Sequence, residues 1–207
     1  PDLQQQEKNL GLLLDRIRAM KVNTIYLQAF SDPDANGSAD MVYFPNRYLP
    51  MRADLFNRVA WQIQSQTQVG RVYAWMPLLA WELPKNNPIS QDLVVTQQSK
   101  TGEHLNMGYL RLSPFSAPAR QVIKGIYQDL AKSTPFNGIL FHDDATLSDY
   151  EDASPEAMRV YAQHGLPTDL AEIRKDDAKL QKWTALKTDT IDDFAMELAA
   201  EVRLYQP

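Results

Sequence analysis

The feature that most constrains the fold of this 207-residue chain is a regular alternation of helix and strand patterns. A helical stripe of apolar residues comes first, and a β-branched, aromatic segment follows it; the stripe consists of Leu10, Leu13, Leu14, Ile17 and Met20. The predicted helices are 3–20, 54–68, 118–132, 155–164 and 179–204, and the predicted strands are 24–30, 71–79 and 138–141. A chain that alternates in this way forms parallel strands joined by right-handed crossovers.

Two architectures fit this order of elements: a doubly wound sheet, or part of a (β/α)8 barrel. A whole barrel takes about 250 residues, and only three strands are predicted here. We therefore expect an α/β fold that is a partial, TIM-like (β/α)8 barrel. No linker or repeat divides the sequence, so residues 1–207 are expected to form a single domain, incomplete at both ends.

Composition excludes several classes of function. The chain contains no cysteine, which excludes thiol catalysis and disulfides. Its net charge of -5 argues against nucleic acid as a partner. No glycine-rich phosphate loop and no nucleophile elbow is present in the sequence. Long polar loops at 32–52 and 81–107 separate the early elements, and loops of this length are often functional.

A predicted strand that ends in a group of acids is the strongest functional signal. The apolar run 138–141 reads as buried on both faces and is followed by His142, Asp143 and Asp144, with Asp149 five residues later. Ionised carboxylates are too costly to bury unpaired, so we predict an open cleft at the strand end, where α/β enzymes place acid–base chemistry. If Asp143 and Asp144 are extended, they point in opposite directions, and one enters the cleft while the other braces a neighbour.

Each of these residues also has a structural interpretation. Asp143 and Asp144 could instead form salt bridges with arginines of the loops, namely Arg47, Arg52 or Arg111. Asp149 either belongs to a solvated acidic segment before a helix or folds over the cleft to contact a ligand. His142 with two carboxylates suits zinc or manganese, but no other ligand spacing is present, so no metal site is predicted. We interpret His142 as a residue that orients a carboxylate or touches substrate.

Aromatic residues near the strand ends are candidate platforms for sugar rings. Tyr73 is assigned to the core, and Trp75 is either a core residue or a platform. Trp81 and Tyr109 lie in the loops and are the stronger candidates. Arg52 closes an aromatic- and arginine-rich loop, from which an arginine could pair with a cleft aspartate and set which acid stays ionised.

Long motifs of the chain resemble the C-terminal glycoside hydrolase domain of the PgaB family, also called HmsF. The matching segments are 23–30, 43–47, 49–62, 72–77, 111–115, 136–145 and 147–153. The resemblance implies a (β/α)-barrel domain that binds and hydrolyses partially de-N-acetylated poly-β-1,6-N-acetyl-D-glucosamine during biofilm exopolysaccharide export. It also implies a periplasmic protein, anchored to the outer membrane through a segment not present here. The deacetylase domain of the family is absent from this chain.

The resemblance places Asp143, Asp144 and Asp149 on acidic cleft residues and Tyr109 on a sugar-contacting tyrosine. We assign Asp144 as the general acid with Asp143 as its partner, although the order could be reversed, and Asp149 or a group outside this chain as the second catalytic group. Retaining and inverting schemes both remain open. The other expected substrate-binding residues are His142, Trp81, Trp75 and Arg52. No cofactor is expected.

The expected partners are the partly deacetylated polymer and an outer-membrane exporter, and not nucleic acid. An alternative function from another class shares the same acids and aromatic platforms. In it, the chain is a non-catalytic polysaccharide-binding module that passes the polymer to the exporter.

Overall fold

The computed structural model describes residues 2–97 and 109–206 of the chain. Its α-helices are α1 (Leu3–Met20), α2 (Phe56–Gln66), α3 (Ala117–Ser133), α4 (Pro155–Gln163), α5 (Leu170–Ile173) and α6 (Asp177–Arg203). Its strands are β1 (Thr24–Gln28), β2 (Phe30–Ser31), β3 (Met41–Val42), β4 (Arg71–Met76) and β5 (Gly138–Phe141). A short 3₁₀ helix spans Pro88–Gln91. Residues 98–107 of the second predicted loop lie outside the described residues.

The central sheet is parallel and has the order β1–β4–β5. Trp75 of β4 is in register with Gln28 of β1 and with Leu140 of β5, so the carboxyl ends of the strands meet at one edge. Pro77 has no N–H to donate and ends β4, as the sequence predicts. The fold class is confirmed: parallel strands alternate with helices, as in part of a (β/α)8 barrel.

The predicted strand 24–30 divides into two pieces. β1 pairs with β4 up to Gln28, and the Ala29 N–H still donates to the Trp75 carbonyl at 3.1 Å. The chain then leaves the sheet, and β2 pairs antiparallel with β3, which lies within the first long loop. This loop is therefore an ordered hairpin that packs against the strand ends.

Helices cover only one face of the sheet. Val72, Ala74 and Met76 alternate along β4 and are fully buried under the helices. On the opposite face Trp75 is half-buried, and its neighbour Leu140 is 38% exposed. The expectation that β5 is covered on both faces is therefore wrong, because no described element packs over the face that carries Leu140. In a closed barrel this face is the interior.

The other helices and loops complete the core beside the site. α3 and α6 pack together, and the Tyr127 hydroxyl of α3 donates to the Pro77 carbonyl at 2.7 Å. A separate apolar cluster joins α4, α5 and α6 around Tyr161 and Trp183. Among the described residues, no helix combines the length and the apolar character that crossing a membrane requires.

Candidate functional site

The carboxyl ends of β4 and β5 are held together where the acidic residues begin. The backbone N–H of His142 donates to the Met76 carbonyl at 2.8 Å, which extends the pairing of the two strands by one bond. Asp143 and Asp144 follow in a turn. The two neighbouring carboxyl groups therefore emerge from the same edge of the sheet, and their surroundings differ completely.

Asp144 is a buried brace, with an exposed fraction of 1%. One carboxylate oxygen accepts a hydrogen bond from the Leu78 N–H at 3.0 Å. The other accepts from the N–H groups of Leu79 at 2.6 Å and Ala80 at 2.5 Å. The side chain thereby fixes the loop after β4 to the end of β5. The expectation that Asp144 is the general acid does not fit this position, because both oxygens are occupied by backbone donors and neither is open to a substrate.

Asp143 has the opposite environment, since its side chain is 91% exposed. Its Oδ1 lies 3.2 Å from Nδ1 of His142. The His142 ring packs against two aromatic residues: Trp75, with ring centroids 5.3 Å apart, and Phe30, with centroids 5.6 Å apart. Asp143 is therefore an accessible carboxylate held above a small aromatic surface. One aspartate of the pair is thus open to solvent, while its neighbour braces the loop after β4.

The arginines that the sequence offered as partners for these aspartates all bind elsewhere. Arg52 donates to the Ser31 hydroxyl at 2.6 Å, and Arg47 pairs with Asp129 at 3.1 Å. Arg111 pairs with Glu151 at 2.7 Å. The ion-pair interpretation is therefore wrong for Asp143 and Asp144, because none of these arginines pairs with either carboxylate. Arg52 remains exposed on the same loop hairpin.

Tyr109 lies within the electrostatic field of the cleft aspartates. Burial raises the pKa of its hydroxyl, Arg111 opposes this rise, and Asp144 and Asp143 add to it. The guanidinium of Arg111 lies 5.3 Å from the centre of the Tyr109 ring. Gly37 backs the ring with φ of +91°, and a Cβ there would lie 2.9 Å from Cβ of Tyr109. Only glycine fits this position, so the loop hairpin helps to place the tyrosine.

The two tryptophans proposed as sugar platforms have different positions. Trp81 is fully buried in the main core, where it bridges to Ala39, so the expectation that it is an exposed platform is wrong. The loop after β4 turns back into the core and carries the indole with it. Trp75 is half-buried on the open face of the sheet and remains a candidate. The exposed Asp149 lies further along, where it lines a cavity of about 170 Å³ between its loop and α6.

Sequence reasoning missed a buried ion pair in the loop after β5. Glu151 is fully buried, and its Oε1 accepts from Arg111 at 2.7 Å and from the Thr96 hydroxyl at 2.8 Å. Burial alone would raise the pKa of Glu151, but the N–H of Ser148, Arg111 and Thr96 outweigh it and lower the pKa. Nothing in the sequence indicated this burial, because three of the four residues in 149–152 are acidic and such a segment suggests a solvated loop.

Sequence reasoning also missed Lys187, which is buried in the middle of α6. The signal was available, because Trp183, Lys187 and Ile191 follow one another at intervals of four on the buried face of the helix. A lysine in such a stripe needs polar partners. In residues 2–97 and 109–206, no group of three or more histidine or acidic side chains is arranged to hold a metal ion.

Comparison with known proteins identifies the family. The model for hypothetical glycosyl hydrolase family 13 matches residues 1–207. The chain belongs to this family. It is also 45% identical over 202 residues to the poly-beta-1,6-N-acetyl-D-glucosamine N-deacetylase of Escherichia coli K12, covering 98% of this chain and 30% of that protein. The same protein name and identity apply to the relative from Escherichia coli O157:H7.

Solved structures agree with this family-13 assignment. The PgaB (BpsB) glycoside hydrolase domain from Bordetella bronchiseptica is 49% identical and superposes with a TM-score of 0.92 over 100% of this chain. The chain spans 58% of that structure and 30% of the curated relatives. The resemblance to the PgaB glycoside hydrolase domain is therefore confirmed. An alpha-L-fucosidase from Paenibacillus thiaminolyticus, 11% identical with a TM-score of 0.65 over 96% of this chain and 28% of its own, shares the fold alone.

Proposed function

We propose that this chain binds and hydrolyses partially de-N-acetylated poly-β-1,6-N-acetyl-D-glucosamine at the edge formed by β4 and β5. The glycosyl hydrolase family and the name of the Escherichia coli relatives support the reaction class and the polymer. One observation carries the proposal: an accessible carboxylate, Asp143, stands beside the aromatic surface of His142, Trp75 and Phe30 at the strand ends. The proposal places this action in the periplasm during export of a biofilm polymer, with anchoring to the outer membrane, as the resemblance to the PgaB family implies.

The proton donor in this proposal is Asp143, and Asp144 holds the adjoining backbone in place without touching the substrate. The protonated carboxyl of Asp143 gives its proton to the glycosidic oxygen as the bond from that oxygen to the anomeric carbon breaks. His142, 3.2 Å away, fixes the orientation of the carboxyl, and Asp144 holds the turn on which both residues stand. A second group, Asp149 or a residue outside this chain, completes the reaction by activating water or by binding the anomeric carbon.

Charge and shape favour a partly deacetylated polymer over the fully acetylated one. Removal of acetyl groups leaves ammonium groups on the sugar, and the accessible carboxylate of Asp149 attracts them in a chain of net charge -5. Half-buried Trp75 and Tyr109 offer ring faces to the apolar faces of pyranose units. These aromatic and acidic side chains are the proposed substrate-binding set.

The experiment is digestion of partially deacetylated polymer, followed by separation of the released oligosaccharides. The protein should shorten the polymer, and Asp143→Asn should abolish shortening while leaving polymer binding near the wild-type value. Asp15→Asn removes an exposed acid on α1 and is the matched control. If Asp143→Asn cleaves as well as the control, Asp143 is not the acid.

The alternative function, a binding module that passes the polymer to an outer-membrane exporter, has one observation in its favour. Glycoside hydrolysis ordinarily uses a pair of carboxyl groups, whereas only one of the adjacent aspartates Asp143 and Asp144 is accessible. This alternative predicts polymer binding without shortening, and the digestion experiment distinguishes the two functions directly.

A further inference from the structure

Lys187 is the most unusual buried group that the proposed reaction does not use. Only 4% of it is exposed, although lysine is almost never fully buried without partners. Its Nζ lies 3.6 Å from the centre of the Trp183 ring, which closes off the side toward α4 and α5. The ammonium group therefore faces a single segment of polar backbone.

That segment is the loop that carries Asp149. Nζ of Lys187 donates to the carbonyl of Ser148 at 2.6 Å and to the carbonyl of Glu151 at 2.9 Å. These two carbonyls bracket Asp149 and Tyr150. Asp149 also lines the small cavity beside Lys187, together with Thr184 and Asp192 of α6. One buried cation on α6 thus fixes both ends of a four-residue segment with an exposed acid between them.

A continuous set of contacts leads from this segment to the candidate cleft. The Ser148 N–H donates to Oε2 of Glu151, and Oε1 of the same carboxylate accepts from Arg111. The guanidinium of Arg111 lies beside the ring of Tyr109 and also donates to the Thr146 carbonyl at 2.5 Å. The backbone that Lys187 holds is therefore the backbone that also sets the position of the Glu151–Arg111 pair.

We propose that Lys187 is a positioning residue for substrate binding: through the carbonyls of Ser148 and Glu151 it fixes the loop that presents Asp149 to the polymer. This inference rests on the proposed function and adds a residue to it that lies on α6, away from the strand ends. Lys187 does not touch the polymer. Its effect passes through the loop, so it depends on Asp149.

A double-mutant cycle tests this dependence. Lys187→Met, Asp149→Asn and the double variant are compared with wild type by the rate of oligosaccharide release, at polymer concentrations that separate KM from kcat. We expect Lys187→Met to raise KM about tenfold. The double variant should be little worse than either single variant, because both changes remove the same interaction. Lys182→Met is the control, since Lys182 lies on the same helix and donates to the carbonyl of His164 instead.

A second measurement is independent of activity. Hydrogen exchange at the backbone amides of Ser148 and Glu151 should accelerate at least tenfold in Lys187→Met and stay unchanged in Lys182→Met. Lys187→Arg keeps a cation with several donors and should restore protection and KM in part. If Lys187→Met does not fold, Lys187→Arg is measured in its place. A raised KM together with faster exchange at Ser148 and Glu151 in Lys187→Arg would support the proposal, and wild-type exchange together with a raised KM would overturn it.

The results separate the two levels of the proposal. Independent, multiplying effects of the two substitutions, or unchanged exchange in Lys187→Met, would overturn the role of Lys187 while wild-type cleavage still stands. A wild-type protein that neither cleaves nor binds the polymer would overturn the proposed function. Faster exchange would then show only that Lys187 holds the loop, and its role in substrate binding would fall with that function.

Discussion

Substitution of the two adjacent aspartates should separate stability from catalysis. Asp144→Ala removes a carboxylate that accepts three backbone hydrogen bonds from Leu78, Leu79 and Ala80 in a buried position. Each buried donor left without an acceptor costs about 1–3 kcal/mol, and partial entry of water reduces the sum, so we expect a loss of about 3–6 kcal/mol. That is a large part of the 5–15 kcal/mol that typically stabilises a folded domain.

Asp144→Asn is the more informative variant because it nearly preserves shape. Its single carbonyl oxygen can still accept from Leu79 and Ala80, but its NH₂ group then faces the Leu78 N–H, donor against donor. We expect a loss of about 2–4 kcal/mol. Asp143→Asn changes an exposed side chain and should alter the free energy of unfolding by no more than about 0.5 kcal/mol. It should nevertheless lower cleavage by about 10²–10⁴, the usual contribution of a general acid.

The assay pairs urea unfolding, followed by tryptophan fluorescence, with release of reducing sugar ends below the unfolding transition. The expected pattern is a destabilised but active Asp144→Asn and a stable but inactive Asp143→Asn. The reverse pattern would refute the reasoning: an Asp144→Asn protein as stable as wild type that no longer cleaves, beside an Asp143→Asn protein that cleaves normally. Asp144 would then be the acid and its hydrogen bonds to the loop incidental.

Four further predictions concern buried groups. Arg111→Met leaves the fully buried Glu151 without its cation and should cost about 3–5 kcal/mol in urea unfolding. Since the pKa of Glu151 is lowered in the fold, its contribution to stability is present above its ordinary pKa of 4.5 and is lost as pH falls below it; Glu151→Gln should flatten this acid limb. Burial lowers the pKa of Lys187 from 10.5 to about 8, so the unfolded chain binds more protons than the folded one between these pH values. The free energy of unfolding should therefore rise with pH across that window by up to about 3 kcal/mol. Lys187→Met should remove this increase. Trp81→Ala should lower the free energy of unfolding by about 3–5 kcal/mol, because it leaves a cavity in the core. Under conditions in which the variant stays folded, its affinity for the polymer should be close to that of wild type. A large loss of affinity would show that Trp81 belongs to the binding surface.

The elements of the fold could be predicted from local sequence because their signals are local. The helix predicted at 3–20 is α1, and the strand predicted at 138–141 is β5. Proline ends β4 and stands in the first turn of α3 and α4, where its missing N–H is not needed. The signal failed where pairing is decided at a distance: the 24–30 segment leaves the parallel sheet after Ala29 because β3, more than ten residues later, offers an antiparallel partner.

The candidate site could be located from sequence more easily than its roles could be assigned. The position of Asp143 and Asp144 at a strand end follows from the apolar run before them. Which of the two is buried depends on backbone donors in the loop after β4, which lies 64 to 66 residues earlier in the chain. A local sequence pattern cannot predict a contact between segments so far apart. Trp81 was misassigned because the polar stretch that follows it suggested an exposed loop, although the apolar residues Leu78, Leu79 and Ala80 directly precede it and are buried with it.

The charges buried at the loop after β5 carry a large desolvation cost, and that cost has a structural explanation. Glu151, Asp152 and Lys187 are each almost fully buried, and buried ion pairs contribute little net stability because desolvation offsets their attraction. A stable core would be achieved at lower cost with apolar residues. Hydrogen-bonded buried charges do hold the backbone in a single conformation, because any other conformation would leave a buried polar group unpaired. In the proposed function, the site holds an exposed acid against a flexible polymer, and a fixed loop serves that role better than additional stability does.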